Sequence, residues 1–259
     1  MPFINLNQLR IFYFENKIRG TPLLFIHGWL GSSLEWIYQL YYFNSRKHII
    51  ILDLPGYGKS DKINTKYSIE FFTKIVVDFL NLLGYNEAIL IGHSLGGLIA
   101  QNITIQYPKL VKQLVLISTT AISEPTNNKF LLFWVNVIFK LAYINFLRST
   151  IKRINSTEDE NRVFKRLYKN ALTIPKSVVL STFNNMTFKF KLNENLSEIF
   201  QPTLIIYGTE DKIISKTMII TLGNLIPNSE INLIEKGPHR VMVENYERVN
   251  KLIDDFIKN

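Results

Sequence analysis

Apolar residues along this chain follow two alternating rhythms. Short unbroken apolar runs occupy 23–26, 49–52, 88–91 and 114–117, and strand-like segments follow at 203–208 and 231–234. Runs of this length predict strands, and their continuity predicts burial on both faces, as in a parallel sheet. Between them, 34–43, 68–83, 215–225 and 243–257 carry apolar positions at helical spacing. In 68–83, Phe71, Phe72, Ile75, Val76, Phe79, Leu80 and Leu83 form one stripe, with Ser68 as N-cap and Gly84 as stop. A looser alternation over 9–15 predicts an outer hairpin strand turning near Asn16 and Gly20. Strands and helices taking turns at this spacing predict the α/β class.

The rhythm breaks after Thr119. From about 121 to 199 the patterns are helical, with no convincing buried strand, and strand spacing resumes at Thr203. The architecture expected is a doubly wound, mostly parallel sheet. Residues 1–120 and 201–259 form its core, and 121–200 form a helical cap inserted into it. The run 130–139 is the most apolar in the chain, yet too short to span a bilayer. It reads as a cap helix, with Phe130, Phe133, Trp134 and Val137 as candidate walls of a substrate pocket. Further helices are expected over 158–172 and from Pro175 onward.

Candidate chemistry gathers at the C-terminal ends of the strands, the edge where α/β sheets bind ligands. The strand at 88–91 runs into Gly92-His93-Ser94-Leu95-Gly96-Gly97, and a helix leaves from it. Strand, sharp turn and helix are the context that gives G-x-S-x-G meaning. The residues two before and two after Ser94 must be small to pass each other across the turn. The strand at 23–26 ends in His27-Gly28-Trp29, and that at 49–52 in Asp53-Leu54-Pro55-Gly56-Tyr57-Gly58-Lys59-Ser60. The Gly58-Lys59-Ser60 tail imitates a phosphate loop, but Asp53 stands where that motif needs glycine, and Pro55 removes an N–H donor. A compact loop in which Asp53 accepts backbone hydrogen bonds is the better reading. Two later strand ends carry Gly208-Thr209-Glu210-Asp211 and Gly237-Pro238-His239. The chain order is serine, acid, histidine.

These five motifs together resemble the capped type of α/β-hydrolase fold protein, and they span nearly the whole chain outside the insertion. The resemblance implies a catalytic triad of Ser94 as nucleophile, His239 as base and Asp211 as the acid orienting it, with Glu210 as rival acid. It implies an oxyanion hole made by the backbone N–H groups of Trp29 and Leu95. His27 is expected to brace its loop, His93 to flank the pocket, and His48 to lie on the surface at a strand entry. Dehalogenase and epoxide-hydrolase relatives use a carboxylate where this chain has Ser94, so serine favours acyl transfer. The activity implied is hydrolysis of carboxylic esters with small to medium acyl chains through an acyl-enzyme. The alternatives are a carbon–carbon bond hydrolase of diketone-type acids using the same triad, or a non-catalytic ligand-binding protein on this fold. A hydrolytic triad requires no cofactor and no metal.

Composition narrows the rest. With 259 residues, 47% of them apolar, the chain is long enough for one large core. It has no cysteine, which excludes disulfides and cysteine-based metal sites. The N-terminus lacks the basic start and apolar core of a signal peptide, so a cytoplasmic location is expected. Net charge is +9, and 121–200 holds 12 Lys/Arg against 6 Asp/Glu. That reads as a solvated basic surface first, and as a steering field for anionic substrates or a weak contact with an anionic membrane second. No nucleic-acid motif accompanies it. The expected partner is a small-molecule ester or related acyl substrate, and the expected state is monomer or homodimer.

Overall fold

The computed structural model describes residues 2–6, 8–120, 145, 149, 162–188 and 193–258. Its centre is an eight-stranded sheet: β1 Phe3–Leu6, β2 Leu9–Glu15, β3 Leu23–Ile26, β4 Ile49–Leu52, β5 Ala88–His93, β6 Val111–Ile117, β7 Thr203–Gly208 and β8 Ser229–Ile234. Their order across the sheet is β1-β2-β4-β3-β5-β6-β7-β8. Pairing is parallel from β4 to β8 and antiparallel at β1–β2 and β2–β4.

The unbroken apolar runs divide by the two-residue period of a strand. Leu24 and Ile26 of β3, Leu90 of β5 and Leu116 of β6 face one buried cluster. Leu23 and Phe25, Ile89 and Ile91, and Val115 and Ile117 face the other. Helices α2 Ile69–Leu82 and α3 Leu95–Gln106 cover the first face. Helix α1 Ile37–Phe43, preceded by a 3₁₀ turn Ser33–Trp36, covers the second. Ser68 caps α2 as the sequence predicts, accepting from the Phe71 N–H at 3.2 Å. Phe72, Phe79 and Leu80 of α2 are fully buried, and burial of each such side chain contributes about 1.5–3 kcal/mol.

Beyond β6, α4 Arg162–Ala171 and α5 Lys176–Phe188 fall within the segment expected to be a helical insertion. Ala171 of α4, Ile174 in the turn between the two helices, and Val178 and Val179 of α5 share one cluster with the sheet. After β7 come α6 Lys216–Leu225, then, following β8, α7 Val241–Glu244 and α8 Tyr246–Phe256. The last two replace the single helix expected over 243–257, because the chain breaks at Asn245, whose φ is −120°.

Two local expectations need correction. Strand β2 does not turn at Asn16 to pair with β3. It folds back on β1, unrecognised in the pattern because it is only four residues long, and its other neighbour is β4. His48 is not on the surface: it is 6% exposed, with Nε2 3.1 Å from Glu15 Oε1 and Nδ1 3.3 Å from the Gly20 carbonyl. It ties β2 and the following turn to the start of β4.

Candidate active site

Ser94 joins β5 to α3 with φ 50° and ψ −114°. This backbone region costs a serine about 1–3 kcal/mol, so the surroundings must impose it. They do so at both ends of the residue. Its N–H donates to the Ile117 carbonyl at 3.0 Å, and its carbonyl accepts from Thr119 Oγ1 at 2.8 Å and Gly97 N–H at 2.9 Å. The small residues are sterically required. A β-carbon on Gly92 would lie 2.4 Å from the Gly96 carbonyl oxygen. Leu95 opens α3, where the first N–H groups have no acceptor within the helix and the dipole is positive.

The loop after β3 runs beside this turn. Gly28 packs on the His93 ring, where a β-carbon would meet Nδ1 at 2.7 Å. The Gly28 carbonyl accepts from His27 Nδ1 at 2.8 Å and from Gly31 N–H at 3.1 Å. His27 Nε2 in turn accepts from the Leu54 N–H at 3.0 Å. These two bonds assign the neutral Nδ1–H tautomer and make His27 a brace between two strand ends. Leu30 has φ 61°, a second strained residue next to Trp29. Asp53 accepts from Ser33 N–H at 2.6 Å and Lys59 N–H at 2.8 Å, closing the neighbouring loop.

The loops after β7 and β8 are joined to each other. The Glu210 N–H donates to the Gly237 carbonyl at 2.9 Å, and the Lys236 N–H to Thr209 Oγ1 at 2.9 Å. This brings Asp211 to His239: Oδ2 lies 2.7 Å from Nδ1. The other oxygen, Oδ1, accepts from the N–H groups of Ile213 at 2.7 Å and Ile214 at 3.0 Å. Burial pushes the Asp211 carboxyl up, but the bond and charge of His239 and these backbone donors outweigh it, so its pKa is lowered. Glu210 is exposed and makes no such contact with the ring. His239 in turn lies against the turn bearing Ser94, since its carbonyl is 3.2 Å from His93 Nε2 and the two rings are 4.9 Å apart.

Ser94, Trp29, Leu95, His93, Asp211 and His239 therefore converge on one sheet edge. Phe130, Phe133, Trp134 and Val137 lie outside the described residues. A neighbour of Trp29 that the sequence reading did not single out comes from α5. Phe183 packs on Trp29, ring centroids 5.6 Å apart, and Tyr57 donates its hydroxyl to Thr182 Oγ1 at 2.9 Å. The signal was present in Val178, Val179, Thr182, Phe183 and Met186, which recur at helical spacing. Among the described residues, no three His, Asp or Glu side chains are grouped as metal ligands would be.

A family model described as the alpha/beta hydrolase fold matches residues 21–246. The chain belongs to that family. Among relatives of this α/β hydrolase, a pimeloyl-[acyl-carrier protein] methyl ester esterase of Wigglesworthia glossinidia brevipalpis is 30% identical, covering 92% of this chain and 94% of the relative. Epoxide hydrolase 4 of Mus musculus is 27% identical, covering 96% and 77%. A solved structure of Est816, an N-acyl homoserine lactone degrading enzyme, superposes with a TM-score of 0.84 at 25% identity, covering 98% of this chain and all of the other. The relatives are hydrolases of different bonds, so the family marks this chain as a hydrolase and leaves the bond to the site.

Proposed function

We propose that this α/β hydrolase is a serine esterase that cleaves carboxylic esters of small to medium acyl chains. The observation carrying the reading is the 2.7 Å contact between Asp211 and His239 Nδ1, on the same edge as a serine held at positive φ. With Nδ1–H committed to Asp211, the Nε2 lone pair is left to act as base. A carboxylate nucleophile of the kind expected in epoxide-opening relatives is replaced here by Ser94.

In the proposed cycle His239 Nε2 takes the Ser94 hydroxyl proton as Oγ attacks the ester carbonyl carbon. The oxyanion is met by the N–H groups of Leu95 and Trp29. The C–O bond to the alcohol breaks, and the alcohol leaves with the proton from His239. Water then attacks the acyl-enzyme with His239 again as base, releasing the acid and restoring Ser94. Trp29 and Phe183 wall the acyl side. The partner is thus a small-molecule ester. Among the described residues, no helix is long and apolar enough to cross a membrane. Fluorophosphonate labelling, with Ser94→Ala as control, tests the reading: labelling unaffected by that substitution removes Ser94 as nucleophile.

A further inference from the structure

A buried carboxylate that the triad does not use lies beside the site. Glu35, in the 3₁₀ turn after β3, is fully buried. Its Oε2 accepts from the Gly28 N–H at 3.0 Å and lies 3.2 Å from His93 Nδ1. Its Oε1 lies 3.5 Å from Arg240 Nε. Each partner adjoins a group of the proposed mechanism. Gly28 precedes Trp29, His93 precedes Ser94, and Arg240 follows His239. Room for the carboxylate is provided by Gly31, where a β-carbon would come within 2.5 Å of Oε1.

A buried charge persists only if paired and hydrogen-bonded. Burial pushes the Glu35 carboxyl up, but the hydrogen bond with His93 and the charge of Arg240 work against it, and the carboxyl is lowered to about 2. Burial lowers the His93 imidazole, so the ring is neutral and carries one proton. Two acceptors face it, Glu35 and the His239 carbonyl, and the charged one is the stronger claimant. Arg240 is then the cation that Glu35 balances, with the exposed Glu244 as a second carboxyl within its electrostatic reach. Among the described residues, Asp211 and His93 contact the His239 ring, and Arg240 follows it in the chain, with Glu35 paired to both His93 and Arg240.

We propose that Glu35 is a positioning residue of the Ser94 site, fixing the Gly28 peptide of the oxyanion loop and cancelling the charge of Arg240 beside His239. This rests on the Ser94 esterase reading. Losing the anchor lets the Trp29 N–H drift from the developing oxyanion, and a displacement of about 1 Å can cost about 10²-fold. Losing the charge leaves Arg240 uncompensated, which disfavours the cationic form of the base.

The test compares Glu35→Gln, Arg240→Gln and the double variant on a nitrophenyl ester. Active sites are counted by fluorophosphonate titration, so that misfolded molecules are not scored. For Glu35→Gln, kcat per labelled serine should fall about ten- to hundredfold with KM nearly unchanged. The acid limb of its kcat/KM profile should move to lower pH by roughly 0.5–1 unit, as a nearby unit charge does. Arg240→Gln should move that limb to higher pH, and the double variant should return it toward wild type. A merely structural role would change the number of labelled serines but not the two opposed shifts. Wild-type kcat per site in Glu35→Gln, or acid limbs that coincide in the two single variants, overturns the proposal. If wild-type protein takes no label, the Ser94 reading fails on separate grounds.

Discussion

Gly96 lays its bare α-carbon against the carbonyl oxygen of Ile26: a β-carbon there would lie 2.1 Å from it. The first turn of α3 is thereby pressed on the end of β3, where the His27-Gly28-Trp29 loop begins. One close contact sets the distance between the serine turn and the proposed oxyanion loop. Gly96→Ala should therefore cost about 3 kcal/mol or more, since a backbone oxygen cannot swing aside as a side chain can. Urea unfolding measures it. Wild-type stability together with wild-type activity would mean that the turn opens without strain.

Ser94→Ala should abolish fluorophosphonate labelling and lower kcat by about 10⁴–10⁶-fold. Asp211→Asn should cost about 10⁴-fold, because the amide can turn its NH₂ to Nδ1 and shift the ring to the wrong tautomer. Glu210→Gln should be near neutral, Glu210 being exposed. Steady-state kinetics on one ester settles the choice of acid. A large loss in Glu210→Gln with little in Asp211→Asn would reverse it.

Phe183 stacks on Trp29 from α5. If this pair walls the acyl site, kcat/KM should climb from acetyl toward butyryl esters by up to about fourfold for each methylene newly buried. Phe183→Ala should flatten that climb and spare acetyl esters. Equal losses at every chain length, in protein of unchanged melting temperature, would make Phe183 only a clamp between α5 and the sheet.

Acid should weaken the fold in two stages, and the signs agree. Both Glu35 and His93 have folded pKa values below their unfolded ones. Their contribution is complete above the unfolded value and is lost as pH falls through the folded one. Loss begins below about 6.5, where the unfolded chain protonates His93, and steepens below about 4.5 as Glu35 and Asp211 are titrated. Urea midpoints from pH 7.5 down to 3 should fall accordingly. Glu35→Gln should give a flatter curve below about pH 4.5. A slope there equal to wild type would show that Glu35 is not held ionised in the fold.

Much of this molecule is written in local pattern. The two-sided burial of β3, β4, β5, β6 and β7 follows from unbroken apolar runs, and the stripe and caps of α2 from helical spacing with Ser68 and Gly84. The serine turn was legible because its glycines are a steric demand of the turn itself. Which of Glu210 and Asp211 meets His239 could be anticipated only through family likeness, as adjacent acids look alike in sequence. What tertiary structure decided are contacts between distant segments. Glu35 reads in sequence as an ordinary acid in a first helical turn, and only the approach of Gly28, His93 and Arg240 makes it a buried hub. His48 reads as a surface histidine until Glu15 and Gly20 close over it. Phe183 meets Trp29 only because α5 docks on the Trp29 loop. Periodicity records which face of an element is apolar, a property of neighbours in sequence. Which polar side chain is buried, and against whom, depends on residues that meet only when the sheet order is set, and no short-range pattern encodes that order.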